Sequence, residues 1–395
     1  MGRGINKFSK DARVLLFSHR NLYDQEVWRA GYRELETVIE EVEAVDVIAP
    51  GRGMWHQQRK RNALRMGKYT SFVLNPGAEE VSLQRSYDVL FIVCEKPSEL
   101  LHLAAVKGWR DRCKTAICWM TEFYERDMPQ YKSVLRVLDR FDHVLFPTIG
   151  TNAFKPLLDG RMSFLPAGID TLKFCPYPTC SHRFIDVLSI GRRAQQTHQA
   201  LLRLARSNGV LYLYDTIKDL GAYNVEEHRF QFSNLAKRSR YFIVNPGKVD
   251  RPEETGGQSE FGQRYIEGAA AGAILVGEKP NNREFDNAFN WPDAVIHVPY
   301  GSDSIGDVIQ ALDKDPSRQE QIRRRNVTES LLNHDWVHRW ETVLKLAGLQ
   351  PIPALLERKQ RLNDLRKVVT QEARRDSELM VGCLQPWPIR TNSSG

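Results

Sequence analysis

The chain has 395 residues, of which 42% are hydrophobic and 27% are charged. This length exceeds what one hydrophobic core usually serves, so we expect two domains, and the composition is too apolar for a disordered chain. The formal charge of +7 permits a phosphate-rich partner or an anionic membrane surface but requires neither. No apolar run is long enough for a membrane span, and the polar N-terminus lacks the apolar core of a signal peptide.

The cysteines form no CxxC pair and no zinc-type cluster with histidine, so we expect buried free thiols. They are Cys94, Cys113, Cys118, Cys175, Cys180 and Cys383. Free thiols suit a reducing compartment, which predicts a cytoplasmic protein, with peripheral contact at the inner membrane face as a further expectation.

Short apolar runs alternate with amphipathic segments along the first half of the chain. The predicted strands are Val14–Ser18, Val45–Ile48, Val89–Val93, Thr115–Trp119 and His143–Pro147. Helices are predicted at Trp28–Glu43 and Ser133–Arg140. This alternation is typical of a parallel sheet with helices on both faces.

The same pattern restarts in the second half. The predicted strands there are Asp186–Ile190, Leu211–Tyr214, Tyr241–Asn245, Ala273–Val276 and Ala294–Val298. Two prolines interrupt regular structure within Asp170–Arg183, which places the seam there. The predicted fold class is therefore α/β, with two tandem doubly wound, Rossmann-like domains that face a cleft.

We divide the chain into residues 1–170, 171–348 and 349–395. The last part is predicted to be a helix followed by a frayed tail at Gln385–Gly395. Its apolar face would be formed by Leu355, Leu362, Leu365 and Val369.

The most informative stretch runs from Ser259 to Val276 and follows a polar loop, Lys248–Gln258. It predicts a helix of small residues leading into a buried strand, and the N-terminus of such a helix suits a phosphate group. Glu267 is unusual on so apolar a helix. It is either a ligand for the two hydroxyls of a ribose or a solvated residue on the outer face.

A second stretch, Asp186–Arg193, is a strand that ends in Gly191, Arg192 and Arg193. A doubly wound domain binds its ligand at such a strand end, where Arg192 would clamp a diphosphate. The alternative is a pair of surface arginines beside a turn. The chain has neither a GxGxxG fingerprint nor a Walker motif.

Four motifs in order resemble the glycosyltransferases of the GT-B fold, specifically the family 4-like group and its spore-protein-like bacterial branch. Phe164–Phe174 is similar to the interdomain linker of that family, and Ile190–Arg192 to its phosphate-contacting strand end. Phe261–Glu267 is similar to the donor-binding helix, and Asp335–Trp340 to the closing helix. The resemblance covers about residues 160–348, and the N-terminal part matches only by pattern.

The resemblance implies transfer of a sugar from a nucleotide-diphosphate donor, with retention at the anomeric carbon. The donor is then a substrate, and the resemblance implies neither a cofactor nor a metal. It assigns donor binding to Gly191, Arg192, Arg193, Asn245, Glu260, Phe261, Gly262, Arg264 and Glu267. Arg192 and Lys248, with Glu122 and His19 from the N-terminal domain, are the candidate catalytic residues.

Acceptor contacts are expected from the N-terminal domain, at the ends of its strands. His19 and Arg20 follow the first strand, and Glu122 follows the strand that ends at Trp119. Each has a plainer interpretation: His19 as a structural histidine and Glu122 as a helix cap. The acceptor is a glycan, a lipid-linked sugar or a small molecule.

Several positions depart from the family pattern. Ser259 stands where the family has the first of two glutamates eight residues apart, and Thr197 where it often has a lysine. These departures motivate an alternative, a catalytically weakened nucleotide-binding module that acts as a scaffold. An NAD-dependent oxidoreductase would need a glycine-rich turn after a first strand, and Ser18–Arg20 and Gly191–Arg193 both lack one.

Charge is distributed unevenly near the N-terminus. Asp24–Asp46 has eight acidic residues and two basic ones, whereas Gly51–Lys68 has six basic residues and no acidic one. The basic segment also carries Met54 and Trp55, a mixture that suits an anionic lipid surface. The alternative is a solvated loop and helix. Nothing favours nucleic acid, because neither a recognition helix nor a series of stacking aromatics is present.

Overall fold

A computed structural model describes most of the chain. The described residues are 8–23, 26–69, 74–124, 126, 128–131, 134–147, 158–179, 182–216 and 224–383. The predicted tail at Gln385–Gly395, and Cys180, lie outside them. Four cysteines, Cys94, Cys113, Cys118 and Cys175, are buried free thiols, as expected.

The first domain is built on a six-stranded, fully parallel sheet. Its strands are β1 (Val14–Phe17), β2 (Val45–Ile48), β4 (Tyr87–Cys94), β6 (Cys113–Met120), β7 (His143–Phe146) and β8 (Met162–Phe164). Their order across the sheet is β2-β1-β4-β6-β7-β8. A small separate pair joins β3 (Val81–Ser82) to β5 (Val106–Lys107).

Helices connect these strands and cover both faces of the sheet. The α-helices are α1 (Ala30–Val42), α2 (His56–Tyr69), α3 (Trp109–Arg112) and α4 (Met128–Tyr131). Among the described residues, 3-10 helices also occupy Val27–Arg29, Pro97–Ala105 and Val134–Arg140.

The second domain is built on a five-stranded, fully parallel sheet. Its strands are β9 (Ile185–Ser189), β10 (Tyr212–Tyr214), β11 (Ser239–Val244), β12 (Ile274–Gly277) and β13 (Ile296–His297). Their order is β10-β9-β11-β12-β13.

The remaining helices follow in chain order. They are α5 (Thr171–Phe174), α6 (Gln195–Asn208), α7 (Val225–Lys237), α8 (Pro252–Thr255), α9 (Gln263–Ala270), α10 (Arg283–Ala288), α11 (Ile305–Asp313), α12 (Pro316–Asn333), α13 (Trp336–Leu346) and α14 (Pro353–Cys383). All the predicted strands are present, and the ends of most differ by one or two residues. The sequence analysis missed β8 and the two-residue strands β3 and β5, which are too short to show a pattern.

Both sheets are continuous hydrophobic layers, because parallel strands are covered on two faces. Val14, Leu16 and Val47 pack below α1 in one core, while Leu188, Phe242 and Leu275 lie in a core of the second domain. The α/β class with two doubly wound domains, which is the arrangement of the GT-B fold, is confirmed.

The C-terminal helices return to the first domain. Trp336 on α13 packs edge-to-face on Trp119 of β6, with ring centroids 5.7 Å apart. Leu355, Leu362 and Val369 on α14 are buried in the same core as β1, and Leu365 packs against it, as the predicted apolar face requires.

The predicted linker and closing helix pack on each other. The carboxylate of Asp335 accepts hydrogen bonds from the Thr171 amide at 3.0 Å and from the Arg358 guanidinium at 2.9 Å. Arg339 donates to the carbonyl oxygens of Pro166 and Ala167. These hydrogen bonds hold the linker between the two domains against α13, and Arg358 of α14 reinforces the contact through Asp335.

Candidate functional site

The strand order of each sheet reverses at one point, between β1 and β4 in the first domain and between β9 and β11 in the second. Ligands of doubly wound domains bind beyond the carboxyl ends of the strands at such points. The segment after β1 is Ser18–Asn21, and the segment after β9 is Ile190–Arg193. These are the segments that the sequence analysis selected.

The Gly191–Arg193 turn has one exposed cation. The Gly191 amide donates to the Asp215 carboxylate at 3.1 Å, and Arg193 binds the same carboxylate. A φ of +99° at Gly191 explains why a glycine stands there. Arg192 is 39% exposed and donates to Asp250 at 2.8 Å. Of the two arginines, Arg192 is therefore the one placed to meet a ligand.

Lys248 joins the two domains. Its Nζ lies 2.9 Å from Oε1 of Glu122 in the first domain and 3.5 Å from Oε2 of Glu254. It also lies 4.8 Å from the ring centroid of Tyr124. Burial, with the charges of Glu122 and Glu260, raises the pKa of Tyr124. Candidates from both domains thus converge around one buried tyrosine, which the sequence analysis did not identify.

Glu122 lies just beyond β6, at the carboxyl edge of the first sheet. Its amide donates to the Glu95 carbonyl oxygen at 3.1 Å. This backbone contact fixes the position of Glu122 beside the cleft.

The loop after β11 contacts the start of Ser259–Val276, which we call the donor segment because donor binding was predicted for it. The Gly247 amide donates to the Glu260 carbonyl oxygen at 2.8 Å, and the Glu260 side chain is buried. Phe261 packs edge-to-face on Phe285, with centroids 5.6 Å apart. Asn245 accepts from the Glu278 amide through its side chain at 3.5 Å. These contacts position the segment that leads into α9.

The N-terminus of α9 faces the first domain. Gly262 is its N-cap and supplies no side-chain cap. The Tyr265 amide donates to the Gly262 carbonyl oxygen at 3.3 Å, so the amides of Gln263 and Arg264 are the ones placed to meet an anion. Gln263 donates through its side-chain amide to the Gly168 carbonyl oxygen at 3.0 Å. The same side chain fills the space beside Gly31 of α1, where an added Cβ would collide with it.

Glu267 is 1% exposed, so the outer-face alternative is wrong. Its Oε1 accepts from Arg229, and its Oε2 accepts from Arg264 at 2.5 Å. Burial would raise the pKa of Glu267, but the charges of Arg264 and Arg229 outweigh it and hold the pKa below its ordinary value. The carboxylate is therefore ionised at neutral pH, as a ligand for ribose hydroxyls would need to be.

Arg229 extends this contact to the first domain. Its Nε donates to Oε2 of Glu34 on α1 at 2.7 Å, and its guanidinium stacks 4.6 Å from the Phe174 ring centroid. Burial would lower the pKa of Arg229, but Glu34 and Glu267 raise it above the ordinary value. Glu34 also accepts from the Trp336 indole at 3.2 Å.

The sequence analysis missed Arg229 and Glu34, although the position of Arg229 on its helix was a usable signal. Arg229 shares the buried face of α7 with Phe232, Ser233 and Ala236, three, four and seven residues later. A charged residue on an apolar helix face needs a partner, because a buried unpaired charge is costly.

His19 and Arg20, for which acceptor contacts were predicted, follow β1 and already have partners. The two ring nitrogens of His19 lie 3.1 and 3.3 Å from the carbonyl oxygens of Val93 and Glu99. Burial, together with the charge of Arg29, lowers the pKa of His19 to about 3. The ring is therefore neutral at physiological pH. Arg20 donates to Glu40 at 2.6 Å.

A cavity of about 390 Å³ opens between the end of β1, α1 and the start of α7, and we call it the inner cavity. Tyr23, Tyr32 and Asn224 are among its lining residues. Its charged lining residues are Arg20, Arg29, Arg33, Glu26, Glu36 and Glu226. Residues of both domains form this cavity, which places it in the interdomain cleft.

One buried group has the residue types of a metal site. Ligand atoms of His19, Cys94 and Glu99 all lie within 4.8 Å of one another. However, the guanidinium of Arg29 binds the Glu99 carboxylate, so a cation already occupies the position beside it. This arrangement does not fit a metal ion.

Residues 215–345 match the family model described as glycosyl transferase-like. The resemblance to GT-B glycosyltransferases is thereby confirmed over this part of the chain, which includes the donor segment and the closing helix. A comparison with curated proteins found no match.

Several solved structures are similar in architecture at 11% identity. HepE of Anabaena in complex with UDP-glucose has a TM-score of 0.49, with 85% of this chain and 99% of that chain covered. An alpha-glucosyltransferase in complex with UDP-glucose and DNA has a TM-score of 0.47 with the same coverage. A glycosyltransferase from Rickettsia africae has a TM-score of 0.46, with 85% and 98% covered. Similarity of this size does not identify a donor or an acceptor.

Within the described part of the chain, no helix combines the length and apolar character needed to cross a bilayer.

Proposed function

We propose that this protein is a retaining glycosyltransferase that moves a sugar from a nucleotide-diphosphate donor to a hydroxyl-bearing acceptor, without a metal ion. The observation that carries the proposal is the match of residues 215–345 to a glycosyl transferase-like family. Within that span, Glu267 is a buried and ionised carboxylate close to the uncapped N-terminus of α9.

The donor diphosphate would lie between the Gly191–Arg193 turn and the N-terminus of α9. When the bond from the anomeric carbon to the diphosphate oxygen breaks, the nucleoside diphosphate leaves with the electron pair while the acceptor oxygen bonds to the sugar. Preorganised cations and amides stabilise the negative charge that develops on the leaving diphosphate in the transition state. Arg192 and Lys248 supply the cations, and the residues around Gly262 supply the amides. Glu267 would bind the ribose and take no part in bond breaking.

The acceptor would enter from the first domain. The inner cavity lies beside His19 and Arg20 at the end of β1, and the bridge from Lys248 to Glu122 lies on the same side of the cleft. Closure of two domains around both substrates excludes water, which suppresses hydrolysis of the donor.

Calorimetry with UDP-, GDP- and ADP-sugars tests the donor proposal. We expect one nucleotide to bind, and Glu267→Ala to weaken it by about 10-fold or more because ribose contacts are lost. Arg192→Ala, a half-exposed position that does not support the core, should weaken it as well. Glu357→Ala, on the exposed side of α14, is the matched control. Failure of every nucleotide to bind contradicts the proposal.

A second candidate function is a nucleotide-binding scaffold without turnover. It is favoured by Ser259 at the position of the first family glutamate, and by Glu267 having both oxygens engaged by arginines. Release of free nucleoside diphosphate from the donor separates the two: turnover excludes the scaffold, whereas tight binding without turnover supports it.

The proposed compartment is the cytoplasm, with peripheral contact at the inner membrane face through Gly51–Lys68. Met54 and Trp55 are strongly exposed at the start of this segment, and α2 continues it with exposed Arg59, Arg61 and Arg65. Exposed aromatic and basic side chains side by side are typical of an interfacial surface.

A further inference from the structure

A second cavity adjoins the inner cavity and differs from it in charge. It has a volume of about 580 Å³, lies between the end of β1 and α2, and we call it the outer cavity. The two cavities share Tyr23 and Glu26 as lining residues, so they are neighbouring compartments of one cleft.

The inner cavity is electrically balanced. Three arginines and three glutamates line it. Each arginine pairs with a carboxylate: Arg20 with Glu40 at 2.6 Å, Arg29 with Glu26 at 2.8 Å, and Arg33 with Glu226 at 3.1 Å. Charges that are already compensated leave little attraction for an ionic ligand. Tyr23 and Tyr32 add aromatic surface, so this compartment suits a neutral, hydroxylated group such as a sugar ring.

The outer cavity has an excess of positive charge. Lys60 and Arg61 line it, and Glu26 is the one carboxylate among its described lining residues. Arg52 also lines it but has an interaction partner of its own. No described carboxylate forms an ion pair with the Lys60 or Arg61 side chain. Lys60 instead donates to the Tyr23 hydroxyl at 3.1 Å.

The position of Lys60 shows that this charge is held at the cavity. Its ammonium lies 4.9 Å from the Tyr23 ring centroid, in addition to the hydrogen bond to the hydroxyl. Partial burial lowers the pKa of Lys60 below its ordinary value, and the charges of Glu99 and Glu26 only partly offset this effect. A half-buried cation without a carboxylate partner gains most from an incoming anion.

We infer that the acceptor is an anionic molecule, whose phosphate group occupies the outer cavity while its hydroxylated part occupies the inner cavity. This inference rests on the proposed function, since it assigns the inner cavity to the acceptor. Lys60 and Arg61 are specificity-determining residues for the phosphate. Trp55 and Gln57, which also line the outer cavity, offer a ring face and an amide to the adjoining part of the molecule.

Binding of glucose and glucose 6-phosphate, measured by calorimetry at low salt, tests the inference. We expect the phosphate to raise affinity about 10-fold or more, and added salt to reduce this preference. The double variant Lys60→Gln and Arg61→Gln should lower the preference to about 3-fold or less. Arg203→Gln with Arg206→Gln, which removes the same charge from an exposed face of α6, should leave it unchanged.

Phosphatidylglycerol and phosphatidylcholine vesicles form a second arm, because a lipid headgroup is another source of phosphate. Binding of the anionic vesicles alone, sensitive to the Lys60 and Arg61 substitutions, supports the inference and places the phosphate on a lipid. Equal affinity for glucose and its phosphate without vesicle binding overturns it, and so does a preference that survives the double variant.

Binding of UDP-, GDP- and ADP-sugars, measured in the same samples, separates this inference from the proposed function. A protein that binds one of these nucleotides but shows no phosphate preference contradicts only the anionic acceptor. Failure of the unmodified protein to bind any of them contradicts the proposed function instead.

Discussion

Several ion pairs join the two domains, and two of them, which we call bridges, differ clearly in their exposure to water. In the buried bridge, Arg229 of α7 binds Glu34 of α1, with side chains 5% and 1% exposed. In the outer bridge, Lys248 binds Glu122, with side chains 21% and 32% exposed. A buried pair is held by the cost of leaving either charge alone, whereas an exposed pair contributes little to stability and exchanges readily with water.

This difference suits two different roles under the proposed function. The buried bridge connects Glu267 to α1, whose residues line the inner cavity, so it would fix the donor side relative to the acceptor side. The outer bridge is partly exposed, and Lys248 would exchange Glu122 for a substrate diphosphate. Under that function, one bridge holds the geometry and the other changes partners during the reaction.

Removal of the buried bridge should have the largest effect on stability. Arg229→Met leaves Glu34 and Glu267 without their shared guanidinium, and loss of one partner of a buried pair costs about 3–5 kcal/mol. The midpoint of urea unfolding would measure this loss.

Arg264→Met is the matched control, because Arg264 also binds Glu267 but is 39% exposed. Its cost should stay below about 1 kcal/mol. Equal destabilisation by the two variants would mean that burial does not distinguish the two arginines.

Acid should weaken the ion pair between Glu267 and Arg229, the arginine of the buried bridge. Since its pKa lies lower in the folded chain than the ordinary 4.5, Glu267 stabilises the fold above pH 4.5, and this contribution is lost as the pH falls further. Glu267→Gln should therefore cost about 1–3 kcal/mol at pH 7, with a smaller difference from the parent below pH 4.5.

Unfolding curves recorded from pH 7 to pH 3.5 would show this convergence. The control is Glu357→Gln on α14, an exposed position whose substitution should shift the curves equally at each pH. A constant gap between Glu267→Gln and the parent would contradict an ionised Glu267 in the folded state.

The sequence was sufficient to predict the strands and helices on which the site is built, but it did not predict the side-chain contacts that cross the cleft. Continuous apolar runs such as Val14–Phe17 mark buried parallel strands directly, and the residues after them reach the carboxyl edge of the sheet by topology. That is why the Gly191–Arg193 turn and the donor segment could be selected. The contact of Arg229 with Glu34 joins residues 195 positions apart, and no local pattern specifies which buried charge meets which.

Glu267 illustrates the same limit. Its spacing on a helix of small residues indicated a special residue, yet two interpretations stayed open because helix periodicity does not specify which neighbouring element covers a face. The structure shows α7 covering it, through Arg229. Tyr124 was missed for a related reason: its importance arises only when Glu122 and Lys248, from different domains, come together around its ring.

The outer bridge should show the smallest effect on stability and a clear effect on turnover. Lys248→Met removes a partly exposed pair, so the free energy of unfolding should change by less than about 1 kcal/mol. Under the proposed function, it also removes a cation from the leaving diphosphate, and kcat should fall about 10-fold or more with a smaller change in KM.

The control for Lys248→Met is Glu254→Gln, which loosens the second carboxylate contact of Lys248 but keeps the ammonium. This variant should change neither stability nor kcat appreciably, because the ammonium is free to turn toward the diphosphate. Steady-state rates of nucleoside diphosphate release give kcat and KM, and urea unfolding gives the stability. If Glu254→Gln reduced kcat as much as Lys248→Met, turnover would depend on the position of the loop that carries Lys248. The charge of Lys248 would then not be the limiting factor. The two bridges would then share one structural role.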